Sequence, residues 1–316
     1  MDLWGGRRVV ALAGGVGGAR LVDGLARLLP ADRLTIIVNT GDDFELLGLS
    51  ISPDLDTVLY TLAGVADPAR GWGIEGDTFH CLEALRRLGD PGWFQIGDRD
   101  LATHLIRTQL LRAGMTLTQV SSELGRRLKV LPRVLPMSDD LLRTWVLTQE
   151  EGPLPFQEYF VRYRCEPRVT GFRFEGEEAA QPSPEALGAL ETADLVIICP
   201  SNPLVSIDPI LRLPGNRARL ASLPCVAVSP IVGGAAIKGP LSKMLLELGR
   251  ASNALEIARH YQGLVRGFVL DQVDAELSSQ VEVLGMRAAA FPTMMIEASR
   301  RLRVAEQVLD FAGTIL

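Results

Sequence analysis

Five short runs of almost wholly apolar residues constrain this chain most. They are residues 8–13 (RVVALA), 34–38 (LTIIV), 193–199 (ADLVIIC), 224–229 (PCVAVS) and 266–270 (RGFVL). None alternates polar with apolar, so each reads as a strand covered on both faces, the signature of a parallel sheet. Each is followed by a polar or glycine-containing turn. After the first, Leu21, Leu25, Leu28 and Leu29 recur at helical spacing. Strand, turn and helix in that order predict an α/β fold: a mostly parallel sheet with helices on both faces. With 316 residues and 47 % apolar content, the core can be large. We read residues 1–316 as one domain. Residues 59–128 form a mostly helical insertion. Residues 140–182 form a small antiparallel β region, with strands expected at 145–149, 159–164 and 172–174. The run at 266–270 is read as the last parallel strand.

The second run ends in Asn39-Thr40-Gly41-Asp42-Asp43, and a second acidic pair, Asp54 and Asp56, follows in Ser52-Pro53-Asp54-Leu55-Asp56. In open α/β sheets, ligands sit beyond the carboxyl ends of the strands. Four carboxylates gathered there repel one another unless a cation or bound protons compensate. Oxygen ligands without His or Cys suit Mg²⁺, held by one or two carboxylates together with substrate phosphates. The plainer reading makes Asp42 a turn residue and Asp54 a helix N-cap. That reading explains any one of the acids better than it explains all four.

Gly14-Gly15-Val16-Gly17-Gly18 stands between the first strand and its helix. Glycines let a backbone approach a phosphate, and a helix start offers free N–H groups. No Gly-Lys-Ser/Thr follows, and Arg20 occupies the place of a third fingerprint glycine, so neither standard nucleotide motif is met. A tight turn with positive φ is the competing explanation. Ser201 and Asn202, straight after the third run, can bond a phosphate or a base edge. Lys238 and Lys243 are candidate phosphate neutralisers. Trp72, between two glycines, is a candidate platform for a planar ligand, or a half-buried packing residue. Asp98 or Asp100 is expected to cap a helix carrying Leu101, Leu105, Ile106, Leu110 and Leu111. Arg99, His104 and Arg107 near its start could meet an anion, or line a solvated face.

The net charge of −6 argues against a nucleic-acid surface. The four cysteines are widely spaced, which fits a reducing compartment. Cys199 and Cys225 lie in apolar runs and read as buried thiols. Residues 1–6 are too short for a leader before the first strand, and no apolar run is long enough to span a membrane. The expected location is cytoplasmic. No Ser-His-Asp or Cys-His arrangement is visible. The chemistry that fits is metal-assisted transfer of a phosphorus-containing group.

Eight segments carry a closer resemblance: residues 13–20 (AGGVGGAR), 38–43 (VNTGDD), 52–60 (SPDLDTVLY), 70–73 (RGWG), 96–104 (IGDRDLATH), 135–140 (LPMSDD), 200–203 (PSNP) and 228–231 (VSPI). In this order, over nearly the whole length, they resemble the 2-phospho-L-lactate transferase family of coenzyme F420 biosynthesis. The resemblance implies a Rossmann-like sheet with a helical insertion. It implies that the deazaflavin alcohol 7,8-didemethyl-8-hydroxy-5-deazariboflavin (Fo) attacks the phosphorus of a guanylylated phospholactate or phosphoenolpyruvate, with Mg²⁺ required and GMP leaving. The aspartate that contacts Fo and metal falls on Asp56, with Asp42 and Asp43 as metal neighbours. A second Fo contact falls on Gln95, where family members carry Lys or Glu. The loop of Gly14, Gly15, Gly17 and Gly18 and the loop of Ser201 and Asn202 take the guanosine diphosphate part.

Together these readings give Asp56 and Asp54 as catalytic carboxylates, and Asp42, Asp43 and Asp56 as metal ligands. Asn39, Trp72, Gln95, Asp98 and Arg99 join the two loops as substrate contacts. Asp56→Asn is expected to abolish transfer while the fold survives. The Arg-Gly-Trp-Gly segment and Trp93-Phe94 lean towards an enolpyruvyl donor. A homodimer is implied by the family only. Two other classes stay open: a regulatory relative that binds a nucleotide sugar without transfer, and a dinucleotide-dependent dehydrogenase. Arg20 counts against the latter, and Trp72 with the 97–100 loop against the former.

Overall fold

The computed structural model describes Trp4 and residues 6–316. The leader reading therefore rests in part on residues 1–3 and 5, which lie outside the described residues. The first half of the chain contributes strands β1 (Val9–Ala13), β2 (Leu34–Val38), β3 (Phe44–Leu46), β4 (Leu49–Ile51), β5 (Arg133–Pro136), β6 (Arg143–Thr148) and β7 (Gly152–Pro155). The second contributes β8 (Val169–Glu175), β9 (Leu195–Ile198), β10 (Cys225–Val228), β11 (Ile231–Val232), β12 (Ala235–Ala236), β13 (Gly267–Leu270) and β14 (Arg287–Ala290). Seven of them form one sheet in the order β14-β13-β10-β9-β1-β2-β5. Every pairing in it is parallel.

The sheet is buried on both sides, as the unbroken apolar runs require. Alternate residues of β1 enter different cores: Val9, Ala11 and Ala13 on one face, Val10 and Leu12 on the other. From β1 the chain steps to β2 and β5 on one side, then returns to β9 and continues outward on the other. The strand order therefore reverses between β1 and β9, and the loops leaving those two strands part there. Such a switch point leaves a crevice at the carboxyl edge of the sheet.

Helix α1 (Gly15–Leu28) covers β1 and packs against α2 (Pro53–Leu62) and the C-terminal helix Ala298–Gly313. Gly24 permits the second contact. A Cβ there would stand 2.8 Å from the Ala305 methyl and run into the Arg301 carbonyl. Gly24→Ala is therefore expected to destabilise the chain by about 1–3 kcal/mol through overpacking, although alanine is the better helix former by about 1 kcal/mol. A urea midpoint equal to wild type would show that the two helices separate freely.

The insertion carries α3 (His80–Arg87), α4 (Asp98–Arg112) and α5 (Leu117–Arg127). Among the described residues no helix is long and apolar enough to cross a membrane. Cys199 and Cys225 are buried, as read.

Two local readings are corrected, and two elements not read from the sequence are added. Residues 159–164 are not a strand: Glu158–Arg162 forms a helical turn. Phe156 stacks on Phe160 at 5.6 Å and Glu158 pairs with Arg162, contacts that need helical spacing. The missing strand is β7, whose Pro153 and Pro155 hid it; an edge strand tolerates proline. The sheet does not end at β13, because the alanine-rich β14 adds a half-exposed edge. The β3–β4 hairpin turns on Leu47 and Gly48, both with positive φ (51° and 76°). That is a two-residue hairpin turn with leucine where Asn, Asp or Gly usually stands.

Candidate active site

The acidic stretch is assembled by the β3–β4 hairpin, which returns the chain so that the first turn of α2 faces the end of β2. Asp42 and Asp43 leave β2; Asp54 and Asp56 lie in that first turn. Ser52 precedes the helix, but its hydroxyl donates to Asp43 Oδ2 at 2.7 Å instead of capping α2. Asp54 does not cap α2 either, since it lies inside the helix.

Asn39 joins the two halves. Its Nδ2 donates to Asp42 Oδ1 at 2.7 Å and to Asp54 Oδ2 at 3.0 Å. Its Oδ1 accepts from the Gly41 amide at 2.8 Å. Fully buried, Asn39 positions the two carboxylates, and both of its amide protons are committed to them. Asp42 also accepts from Gln157 Nε2 at 2.9 Å. Asp54 accepts from the Gly15 amide, at the head of α1.

These hydrogen bonds do not balance the charge. Burial, and then the neighbouring charges of Asp54 and Asp43, push the Asp42 carboxyl well above the usual carboxylate range. Burial does the same to Asp43 and lifts Asp54 to about 6 against the opposing bonds from Asn39 and Gly15. Asp43 Oδ1 is buried with no partner. A carboxylate pair sharing one amide, with an orphaned acid oxygen alongside, fits a divalent cation of the Mg²⁺ type.

Asp56 stands apart from that group. Its Oδ1 pairs with Arg107 Nη2, and Arg107 is 1 % exposed. Burial raises the Asp56 carboxyl and the Arg107 charge opposes the rise. His104 lies beside them: its Nδ1 is 3.0 Å from Arg107 Nη1 and 3.7 Å from Asp56 Oδ2. Its Nε2 faces Asp100 Oδ1 at 3.4 Å. Tyr60 donates to that same Asp100 oxygen at 2.7 Å. Asp56, Asp100 and His104 bring their donor atoms within 4.8 Å of one another. The Arg107 guanidinium already supplies positive charge there, as an ion-pair partner of Asp56.

His104 and Arg107 thus face inward to Asp56. The signal was present in α4. Its buried residues are Asp100, His104, Arg107 and Thr108, at i, i+4, i+7 and i+8, while Leu105 is exposed. The helix is amphipathic with its polar side turned in.

The glycine loop lies against the loop after β9. Gly15 has the positive φ of a turn (57°). Gly18 is needed for close approach: a Cβ there would stand 2.6 Å from Ser201 Oγ. Ser201 Oγ accepts from the Gly14 amide at 3.0 Å and donates to the Gly14 carbonyl at 2.7 Å. Gly17 faces the Pro200 carbonyl. Asn202 Oδ1 accepts from the Leu204 amide. These contacts lock the two loops together across the switch point.

The remaining candidates line the insertion. Trp72 is 38 % exposed, with the Arg70 guanidinium 5.1 Å from its ring centroid. Lys238 Nζ donates to the Arg70 carbonyl, which brings this segment to the side of α1. Lys243 pairs with Glu247 and is occupied. Gln95 is exposed. Asp98 does not cap its own helix. It accepts from the Thr78 hydroxyl and the His80 and Cys81 amides at the start of α3. Asp77 in turn accepts from the Arg99 and Asp100 amides at the start of α4. Arg99 Nη1 donates to the Glu75 carbonyl.

Known proteins bear on this arrangement. The family model described as 2-phospho-L-lactate transferase CofD matches residues 9–291. A protein of Streptomyces griseus named phosphoenolpyruvate transferase is 44 % identical, with 98 % of this chain and 99 % of that protein covered. A Methanosarcina mazei protein named 2-phospho-L-lactate transferase is 39 % identical, covering 96 % and 99 %. A crystal structure of a Bacillus halodurans protein of the UPF0052 family superposes with a TM-score of 0.61 at 15 % identity, over 96 % of this chain and 99 % of that one; it shares the fold. With a family model spanning the parallel sheet and relatives matched nearly end to end, this chain belongs to the CofD family of 2-phospho-L-lactate transferases.

Proposed function

We propose that this chain transfers a phosphoenolpyruvyl group from a guanylylated donor to the ribityl hydroxyl of Fo, releasing GMP. The observation that carries this is the Asp42–Asn39–Asp54 cluster at the switch point, a group of buried, mutually repelling carboxyls where an α/β sheet receives ligands. The enolpyruvyl donor is preferred over the lactyl one because relatives named for phosphoenolpyruvate match at 39–44 % identity, against 39 % for those named for phospholactate.

Asp42 and Asp54, with Asp43 beside them, would hold Mg²⁺. When bound, the ion supplies charge neutralisation on the donor's diphosphate. Asn39 and Gln157 hold the two carboxylates in place. The locked 14–18 and 201–202 loops present the head of α1 to the guanosine diphosphate part. Asp56, paired with Arg107, orients the attacking hydroxyl and takes its proton. Trp72, Gln95 and Arg99 lie on the insertion that would cover Fo. The reaction needs no protein nucleophile, since positioning and neutralised charge suffice for phosphoryl transfer.

Isothermal titration with Fo, with and without Mg²⁺ and GDP, tests this reading. Micromolar Fo binding that strengthens with Mg²⁺ and GDP is the expected result. GDP or a sugar nucleotide binding without Fo would instead favour a non-catalytic nucleotide binder, and NAD binding a dehydrogenase.

A further inference from the structure

A guanidinium that meets a buried carboxylate usually grips both oxygens through two parallel hydrogen bonds. Arg107 does not do so with Asp56. Only Nη2 reaches the carboxylate, at Oδ1. The other arm, Nη1, is turned to His104 Nδ1 at 3.0 Å and to the Ser50 carbonyl at 3.4 Å. Asp56 Oδ2 is left buried with no hydrogen-bond partner. The nearest polar atom named for it is His104 Nδ1 at 3.7 Å, too far for a bond.

The tautomer of His104 follows from its neighbours. Arginine has donors only, so Nδ1 must accept and the imidazole proton must sit on Nε2. That proton faces Asp100 Oδ1 at 3.4 Å, an oxygen already held by the Tyr60 hydroxyl. Asp100 remains an acceptor: burial works against its charge, but the bonds and charges of His104, Tyr60 and Arg107 outweigh it and lower its carboxyl. Nδ1 therefore turns a lone pair towards Asp56, so His104 cannot satisfy Oδ2 itself.

We infer that His104 is a positioning residue that diverts one arm of Arg107, and thereby leaves Asp56 Oδ2, enclosed in the substrate-free chain, as the unpaired oxygen that accepts the proton of the reacting hydroxyl. Asp100, itself held by Tyr60, places its charge behind the Nε2 edge of the ring. This rests on the assignment of Asp56 under the proposed function. It adds which oxygen acts and what keeps it unpaired. The strict use of one carboxylate oxygen has a cost in stability, because an unmade buried hydrogen bond is retained in the fold.

His104→Leu removes the acceptor for Nη1 and lets Arg107 close on both oxygens. In GMP release assays with Fo and guanylylated phosphoenolpyruvate, kcat is expected to fall about 10²-fold with KM for Fo unchanged. The urea midpoint is expected to stay at or above wild type, which a merely structural histidine would not allow. His104→Asn, with Oδ1 in the place of Nδ1, is expected to restore most of kcat. A His104→Leu enzyme with wild-type kcat overturns the inference, and so does a fall in kcat that only tracks lost stability. The tautomer is read independently by ¹⁵N NMR of the substrate-free chain, which has three histidines to assign. A proton on Nε2 supports the arrangement; a proton on Nδ1 overturns it. If wild type releases no GMP with Fo, the proposed reaction falls, and the tautomer together with the His104→Leu midpoint still decides the diverted arm.

Discussion

Replacing Arg107 with methionine is expected to lower the stability of the chain by about 3–5 kcal/mol, the usual cost of stranding one member of a buried ion pair. Both partners are nearly inaccessible, Arg107 at 1 % and Asp56 at 5 % exposure. Burial already pushes the Asp56 carboxyl upward, and Arg107 is the first influence opposing it. Without the guanidinium, Asp56 must either bind a proton or remain a buried, unpaired charge. The double variant Arg107→Met with Asp56→Asn is expected to recover most of the loss, because no charge is then stranded. Urea denaturation of the four proteins closes the cycle. A single Arg107→Met variant as stable as wild type would show that Asp56 is not charged in the folded chain. The same geometry revises the expectation for Asp56→Asn. That variant strands Arg107, so its loss of transfer has to be measured under conditions where it is shown to be folded.

Asp54→Asn is expected to act in the opposite way. Transfer should fall by about 10³-fold, since it removes a charge that the proposed ion and its substrate require. Stability should not fall. Burial lifts the Asp54 carboxyl to about 6; the group is still mostly ionised at neutral pH, but holding that charge in the fold costs stability, a burden absent from the unfolded chain, and a neutral amide relieves it. Asparagine keeps one acceptor oxygen for the bonds from Asn39 or Gly15. Thermal melting with and without Mg²⁺ separates the roles. Wild type should be stabilised by the ion, and Asp54→Asn should lose that gain while melting no lower than metal-free wild type. A variant that keeps both transfer and the Mg²⁺ response would remove Asp54 from the site.

The parallel sheet was legible because its inner strands are continuous apolar runs, and only burial on both faces gives that pattern. Elements that break a local rule were not. β7 carries two prolines, and the β3–β4 turn places Leu47 at a φ of 51°. The hairpin matters most, since it brings Asp54 to Asp42. At the site, the acids could be collected from sequence but not sorted. Asp42 and Asp54 share an amide, whereas Asp56, two residues away on α2, points to Arg107. Helical rotation separates them, and nothing in the spacing names the partner on α4. The glycines of the first loop were read for a phosphate, yet Gly18 also serves the close seating of one loop on another. Gln157 reaches Asp42 from a segment 115 residues distant, and no local pattern announces it.

The exchanged carboxylates of Asp77 and Asp98 bear on how this family can vary. Each acid holds the start of the other's helix, and the Asp98 amide also donates to the Thr78 carbonyl at 2.8 Å. The two ends of the 77–98 segment are thereby riveted together. Between them lie α3 and the exposed Gln95, and Trp93 and Phe94 pack on Phe44 of β3. Changes at exposed positions of the segment, such as Gln95, leave the base of α4 where it is, and with it Asp100, His104 and Arg107. Evolution can then vary the exposed positions of the segment without disturbing the buried charges behind it.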